Sequence, residues 1–174
     1  TTYTIYVVAK DAVGNVSPQS NSVTATTLAI GTTCGDENFE TIPASASNYS
    51  TYNWESNGVS WTSEDSRTDQ TINGRAITIK NGSLPALSVP NGIGDLTITT
   101  QLKFSGSAGT LKIFVNDIDT GKTVPYGAAG SAPITTTVTG INVAGTVEIR
   151  LQQNGATTNR VAMDDLSWTC YVPQ

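Results

Sequence analysis

Histidine is absent from the 174 residues, methionine occurs once, cysteine twice, and Lys, Arg, Asp and Glu together make up only 13%. Without His, a Ser-His-Asp or Cys-His catalytic arrangement and a His-ligated metal are excluded. The few charges divide into 14 acidic and 9 basic residues, a net of −5, which leaves no phosphate-neutralising patch and argues against nucleic acid as a partner. No apolar run approaches the roughly 18–20 residues of a membrane-spanning helix, so membrane insertion is not expected. No segment carries a helical hydrophobic period either. The chain opens on Thr1 without a leader, which reads as a start inside a larger polypeptide. Hydrolysis by paired carboxylates needs only two acids at a set separation, and Glu37, Glu40, Glu55, Glu64, Asp65 and Asp69 are available. No motif fixes two of them face to face, so no enzyme activity is expected of this chain.

What is present is the chemistry of strands and turns. The chain is 37% hydrophobic with 16 Gly and 7 Pro, and its Thr, Ser and Asn content favours pleated structure broken by tight turns. Residues 1–28 alternate Tyr3, Ile5, Val7 and Ala9 against Thr4, Tyr6, Val8 and Lys10, turn at Asp11 to Asn15, and resume as a strand over 21–27. Residues 29–33 read as a linker of small residues. From 34 to 171, apolar-alternating runs recur at 60–62, 76–80, 95–104, 110–116, 134–138, 145–152 and 161–170. Most are separated by breaks such as Asn81-Gly82, Asn91-Gly92 and Asn154-Gly155. This spacing predicts an all-β, jelly-roll-like β-sandwich preceded by a β-hairpin.

Cys34 and Cys170 stand at the two ends of the longer domain and allow one intrachain pairing. A disulfide would tie its first and last strands together and imply an oxidising, extracellular compartment; the alternative is two buried free thiols. A bond would also bring Glu40 towards Asp164 and Asp165. Three carboxylates in one place repel, and a hard cation, Ca²⁺, is the remedy that needs neither His nor Cys. Asp36 and Glu37 are spare donors nearby.

A glycan would require flat aromatic faces flanked by amides and charges. Tyr49, Tyr52 and Trp54 lie in a Ser-, Asn- and Thr-rich stretch that reads as loop, and Tyr126 in another. Arg67, Asp69, Gln70, Arg75, Gln101 and Asn116 are polar companions, while Trp61 and Trp168 fall in strand patterns and read as core. An acidic polysaccharide would favour Arg67 and Arg75 by bidentate pairing.

Three resemblances extend this reading. Tyr3-Thr4-Ile5-Tyr6-Val7-Val8-Ala9-Lys10-Asp11, with Gly14-Asn15-Val16-Ser17 and Ser20-Asn21-Ser22-Val23, resembles the last two strands of a fibronectin type III domain, and this implies a tyrosine-corner role for Tyr3. The early Phe39-Glu40, a following Trp and the closing Asp164-Asp165-Leu166 resemble the jelly-roll carbohydrate-binding modules of families 4 and 22. There the early Glu and late Asp hold a structural calcium; the spacing between motifs differs here. The stretch Trp61-Thr62 through Ile77, with Gly92-Ile93-Gly94-Asp95-Leu96 and Arg160 to Thr169, resembles accessory β-sandwich domains of secreted Bacteroidetes proteins. Together these imply a non-catalytic, monomeric, carbohydrate-binding module of a secreted, polysaccharide-active protein. The competing expectation is a structural or adhesive spacer of a large surface protein.

Overall fold

A computed structural model describes residues 2–26, 32–155 and 158–173, and divides the chain into two units at the Thr32/Thr33 boundary. In the first unit, β1 (Thr2–Ile5) and β2 (Val23–Thr26) pair antiparallel from Thr2↔Thr26 to Ile5↔Val23. The expected strand is longer, and Pro18 explains the difference, because the chain opposite Val7 to Ala9 cannot form a regular ladder without its N–H. Hydroxyls fill in: Val7 and Ala9 donate their amides to Ser20 Oγ and Ser17 Oγ, each at 2.9 Å. Asp11 closes the turn by accepting the amides of Val13 and Asn15 at 3.0 and 2.8 Å. The ring of Tyr3 is half exposed. The expected linker lies largely outside the described residues and ends where the next strand begins, at Thr33.

The second unit is an all-β, jelly-roll-like sandwich. Its strands are β3 (Thr33–Glu37), β4 (Ser50–Ser56), β5 (Val59–Thr71), β6 (Arg75–Ile79), β7 (Ser83–Val89), β8 (Leu96–Lys103), β9 (Gly109–Val115), β10 (Ile118–Tyr126), β11 (Ile134–Val138), β12 (Val147–Gln153) and β13 (Arg160–Thr169). Hydrogen bonding runs β10-β9-β12-β7-β5-β6-β13-β8-β11, with β4 beside β5 and β3 beside β13. The two layers are joined through β5. Its first half pairs with β4 and β7, its second half with β6. The change of layer falls around Asp65, whose φ of 43° puts a left-handed residue inside a strand.

Period-2 burial is plain in β12, where Val147, Ile149 and Leu151 alternate inward against Glu148, Arg150 and Gln152. The buried cluster joins Leu84, Leu111, Ile113 and Leu151 of one layer to Ile77, Ile79, Ile98 and Met163 of the other. Burying each such side chain contributes about 1.5–3 kcal/mol. Pro85 sits within β7 at little cost, because β5 reaches β7 only at Leu87 and Ala86, and at Pro85 the strand is in effect an edge.

An aromatic cluster closes one end of the core. The Trp54 and Trp61 rings, opposite each other on β4 and β5, stack 6.0 Å apart, and Trp168 and Phe39 pack edge-on to Trp61 at 6.3 Å. Cys34 and Cys170 form a disulfide with Cα atoms 5.0 Å apart, tying β3 to the segment after β13.

Candidate functional site

On β6 and β13 the inward residues Ile77, Ile79, Val161 and Met163 enter the core, so Ala76, Thr78 and Ala162 point out of the sandwich. They should be wet. Instead all three are fully buried. The cover comes from side chains on the flanking strands. Arg67 of β5 lays its guanidinium 4.9 Å from the centre of the Phe104 ring, just beyond β8, and 5.5 Å from that of Tyr49. Arg160 lies 5.6 Å from the Phe104 ring, and Lys80 Nζ 5.6 Å from that of Tyr49. Lys103 donates to the Thr71 carbonyl at 2.7 Å and to Gln101 Oε1.

These reaches define the shape. Strands β5 and β8 are separated by β6 and β13, about 14 Å in a flat sheet at the usual spacing. Side chains from the two margins meet because the residues between them are small and because Phe104, just past the end of β8 with a φ of 67°, turns out of the strand; this strip of small residues roofed by Arg67 and Phe104 is termed the groove. Its floor is small residues, and its walls are the aromatic and cationic groups. Thr78 Oγ1 at the floor is buried and without a hydrogen-bond partner.

The electrostatics follow from burial. Arg67 holds Asp69 in a two-point pair, Nε to Oδ1 at 2.6 Å and Nη2 to Oδ2 at 2.5 Å, which keeps Asp69 below the ordinary carboxylate range. Burial pushes the Lys103 ammonium down from its usual value.

Of the residues singled out in the sequence, the structure gathers Tyr49, Arg67 and Asp69 at the groove, with Gln101 beside Lys103. It does not bring Tyr52, Trp54, Arg75 or Tyr126 there. Trp54 is in β4, not a loop, and is 8% exposed; Tyr52 shares its inward side and donates its hydroxyl to Asn48 O. Tyr126 ends β10, is 4% exposed, and is held by Gln153 and Asn159 over Gly109. Arg75 is spent on the carbonyls of Glu40, Ile42 and Pro43 and clamps that loop. A shallow depression of about 360 Å³ also lies over Asn53, Glu55, Ser60, Thr62 and Leu87, but Trp54 and Trp61 beneath it offer almost no ring surface. Sequence reasoning missed Lys80, Lys103, Phe104 and Arg160, because only strand pairing, such as Arg160 opposite Lys103, makes them neighbours.

The acidic residues converge differently from the expectation. Glu40 Oε1 accepts the Arg75 amide at 2.8 Å, Asp164 Oδ2 the Asn73 amide at 3.0 Å, and Asp165 Oδ2 the Asn73 side chain at 2.6 Å. All three therefore meet the turn between β5 and β6, and burial raises the Asp164 carboxyl above its ordinary range. Asp36 stands apart with Asn57. Glu37, fully buried, accepts the Phe39 amide at 2.5 Å and the Trp54 indole at 3.2 Å. Among the described residues no three His, Cys, Asp or Glu side chains form a group that could hold a metal ion.

Comparison with solved structures returns β-sandwich carbohydrate-binding modules among its matches. A family 43 arabinoxylan arabinofuranohydrolase from Bacillus subtilis, in complex with cellotetraose, matches with a TM-score of 0.50 at 11% identity, over 94% of this chain and 33% of that one. The carbohydrate-binding module CBM36, in complex with calcium and xylotriose, matches at 0.49 and 8% identity, over 76% and 97%. The CBM22-1 xylan-binding domain from Paenibacillus barcinonensis matches at 0.49 and 14%, over 83% and 97%. At such identities the likeness is one of fold. No family model matches the sequence, and no curated protein does.

Proposed function

We propose that the second unit is a non-catalytic glycan-binding module, and that the groove over β6 and β13 is its binding face. The observation that carries this is the buried outer floor of Ala76, Thr78 and Ala162, with the side chains of Arg67, Phe104 and Tyr49 beside it. A sugar chain needs that combination: room against small residues, ring faces for its C–H surfaces, and amide or charged groups for its hydroxyls. As an accessory module it would raise the local concentration of an attached activity on a polymeric substrate. The disulfide supports an extracellular location. The first unit, in this reading, is the end of a fibronectin type III domain, supported by its paired strands and by apolar residues such as Ile5 and Val23 left exposed.

Calcium belongs to the same proposal. Glu40, Asp164 and Asp165 each bond to the Asn73 to Arg75 turn; as placed they form no metal-holding group, and Ca²⁺, which takes carboxylate oxygens, would have to draw them together.

Affinity electrophoresis of the whole chain through gels containing plant, algal and microbial polysaccharides tests the reading. Retardation by at least one polymer, weakened in Phe104→Ala and Tyr49→Ala, is expected. Unretarded migration in every gel would overturn it in favour of a structural or adhesive spacer.

A further inference from the structure

We propose that the groove selects an anionic glycan, one bearing carboxylates or sulfates along its chain, with Arg160, Lys103 and Lys80 as the groups that read the charge. This rests on the glycan-binding reading and narrows its ligand class.

The argument starts from where the cations are. Lys and Arg number 9 in a chain of net charge −5, yet Arg67, Lys80, Lys103 and Arg160 all stand around one groove. The other cations of this unit with described partners are engaged elsewhere: Lys112 with Asp119, Arg150 with Asp117, and Arg75 on loop carbonyls. Of the acids near the groove, Asp69 is paired with Arg67; Asp164 accepts the Asn73 amide and Asp65 the Asn81 amide at 3.1 Å, and among the described residues neither forms an ion pair with the other three cations.

Among the described residues three positive charges are therefore left without an ion pair: Arg160 lies against the face of Phe104, Lys80 against that of Tyr49, and Lys103 donates to neutral oxygens. All three are partly buried. Like charges collected in a partly desolvated groove repel one another, and each gains by pairing with an anion more than it would on an open surface. Burial already disfavours the charged form of Lys103, as expected of a cation lacking its partner. The Arg160 and Lys103 pair lies in register across β13 and β8, so both can engage successive anionic groups or a single one. The unpartnered Thr78 hydroxyl below can take a sugar hydroxyl once Arg67 and Phe104 part.

The test uses the whole chain and four polymers: polygalacturonate for carboxylates, carrageenan for sulfates, and xylan and mixed-linkage β-glucan as uncharged references. Binding to one of the anionic polymers is expected, falling steeply as salt is raised, since screening weakens pairing at the groove mouth. Arg160→Gln and Lys103→Gln should each weaken it by roughly tenfold or more while melting near the wild-type temperature, and Lys122→Gln on β10 should not. Which anionic polymer binds tells carboxylate from sulfate. Binding to xylan or β-glucan alone, or binding indifferent to salt and to both substitutions, overturns the inference and leaves the glycan reading in place. Binding to none of the four, nor to the wider gel panel, overturns both.

Discussion

The guanidinium of Arg67 lies 4.9 Å from the centre of the Phe104 ring although β6 and β13 separate their strands. The contact forms because Phe104 turns out of the end of β8 with a φ of 67°, and Asp69, which grips Arg67 at two points, fixes where the guanidinium lies. The pair has a pH signature. Asp69 is held below the ordinary carboxylate range in the folded chain, chiefly by its hydrogen bonds to Arg67. Its stabilisation is therefore complete above the unfolded value, about pH 4, and is lost as pH falls through the lower folded value. Asp69→Asn should cost about 1–2 kcal/mol at neutral pH. The two melting curves should converge as pH falls below the ordinary carboxylate range; a gap that stays constant with pH would show that Asp69 acts by packing alone.

The disulfide offers a simpler check. Cys34 and Cys170 are 136 residues apart, and closing a loop of that size stabilises by about 3–5 kcal/mol in the chain-entropy model. Cys34→Ser with Cys170→Ser should lower stability to urea by that amount without changing the far-ultraviolet spectrum. An unchanged midpoint would mean that the pairing of β3 with β13 suffices.

How much of this was legible beforehand depends on where each strand lies. Strands such as β12 and β8 announce themselves because one face is mostly apolar, Val147, Ile149 and Leu151 in the first and Leu96, Ile98 and Leu102 in the second. Strand β10 does not: its edge sequence Ile118-Asp119-Thr120-Gly121-Lys122-Thr123-Val124-Pro125-Tyr126 is mostly polar and carries a proline. Strand β4 was hidden by composition, since Ser50, Thr51, Asn53 and Glu55 are its solvent side and only Tyr52, Trp54 and Ser56 alternate inward. Arg67 and Asp69 could be named as polar companions, but Arg160 and Phe104 could not be joined to them, because strand order is a property of the folded sheet and not of any segment.

Calcium has its own melting test. If Glu40 and Asp164 hold the ion at the Asn73 turn, a chelator should lower the melting temperature by several degrees, since an ion bound only by the native state stabilises by mass action. Glu40→Gln and Asp164→Asn should each abolish the difference between chelated and calcium-loaded samples. Equal melting temperatures for the wild-type chain in both would remove calcium from the account.

Gly35 faces Trp168 across β3 and β13, and a Cβ there would come within 2.2 Å of the indole ring. The ring cannot retreat freely, because Trp61 packs against its other side at 6.3 Å. Gly35→Ala should cost about 1–3 kcal/mol as overpacking, read in a urea titration, with a change in the near-ultraviolet tryptophan signal. A neutral result would mean that β3 can slide along β13.

Trp54 separates packing from recognition. Its ring stacks on Trp61, and its indole N–H donates to Glu37, a carboxylate with no solvent exposure whose other oxygen takes the Phe39 amide. Trp54→Phe keeps a ring and deletes the donor, leaving one oxygen of a buried acid unpaired at a cost of about 1–3 kcal/mol. Trp54→Ala adds the cavity, about 3–5 kcal/mol in all. Neither should alter glycan affinity in the fraction that remains folded, because the ring lies in the core and the groove is built from other residues. Calorimetric titration below the melting temperature distinguishes the two roles: intact affinity with lowered stability assigns Trp54 to the core, whereas affinity lost at full stability would move the binding face to β4.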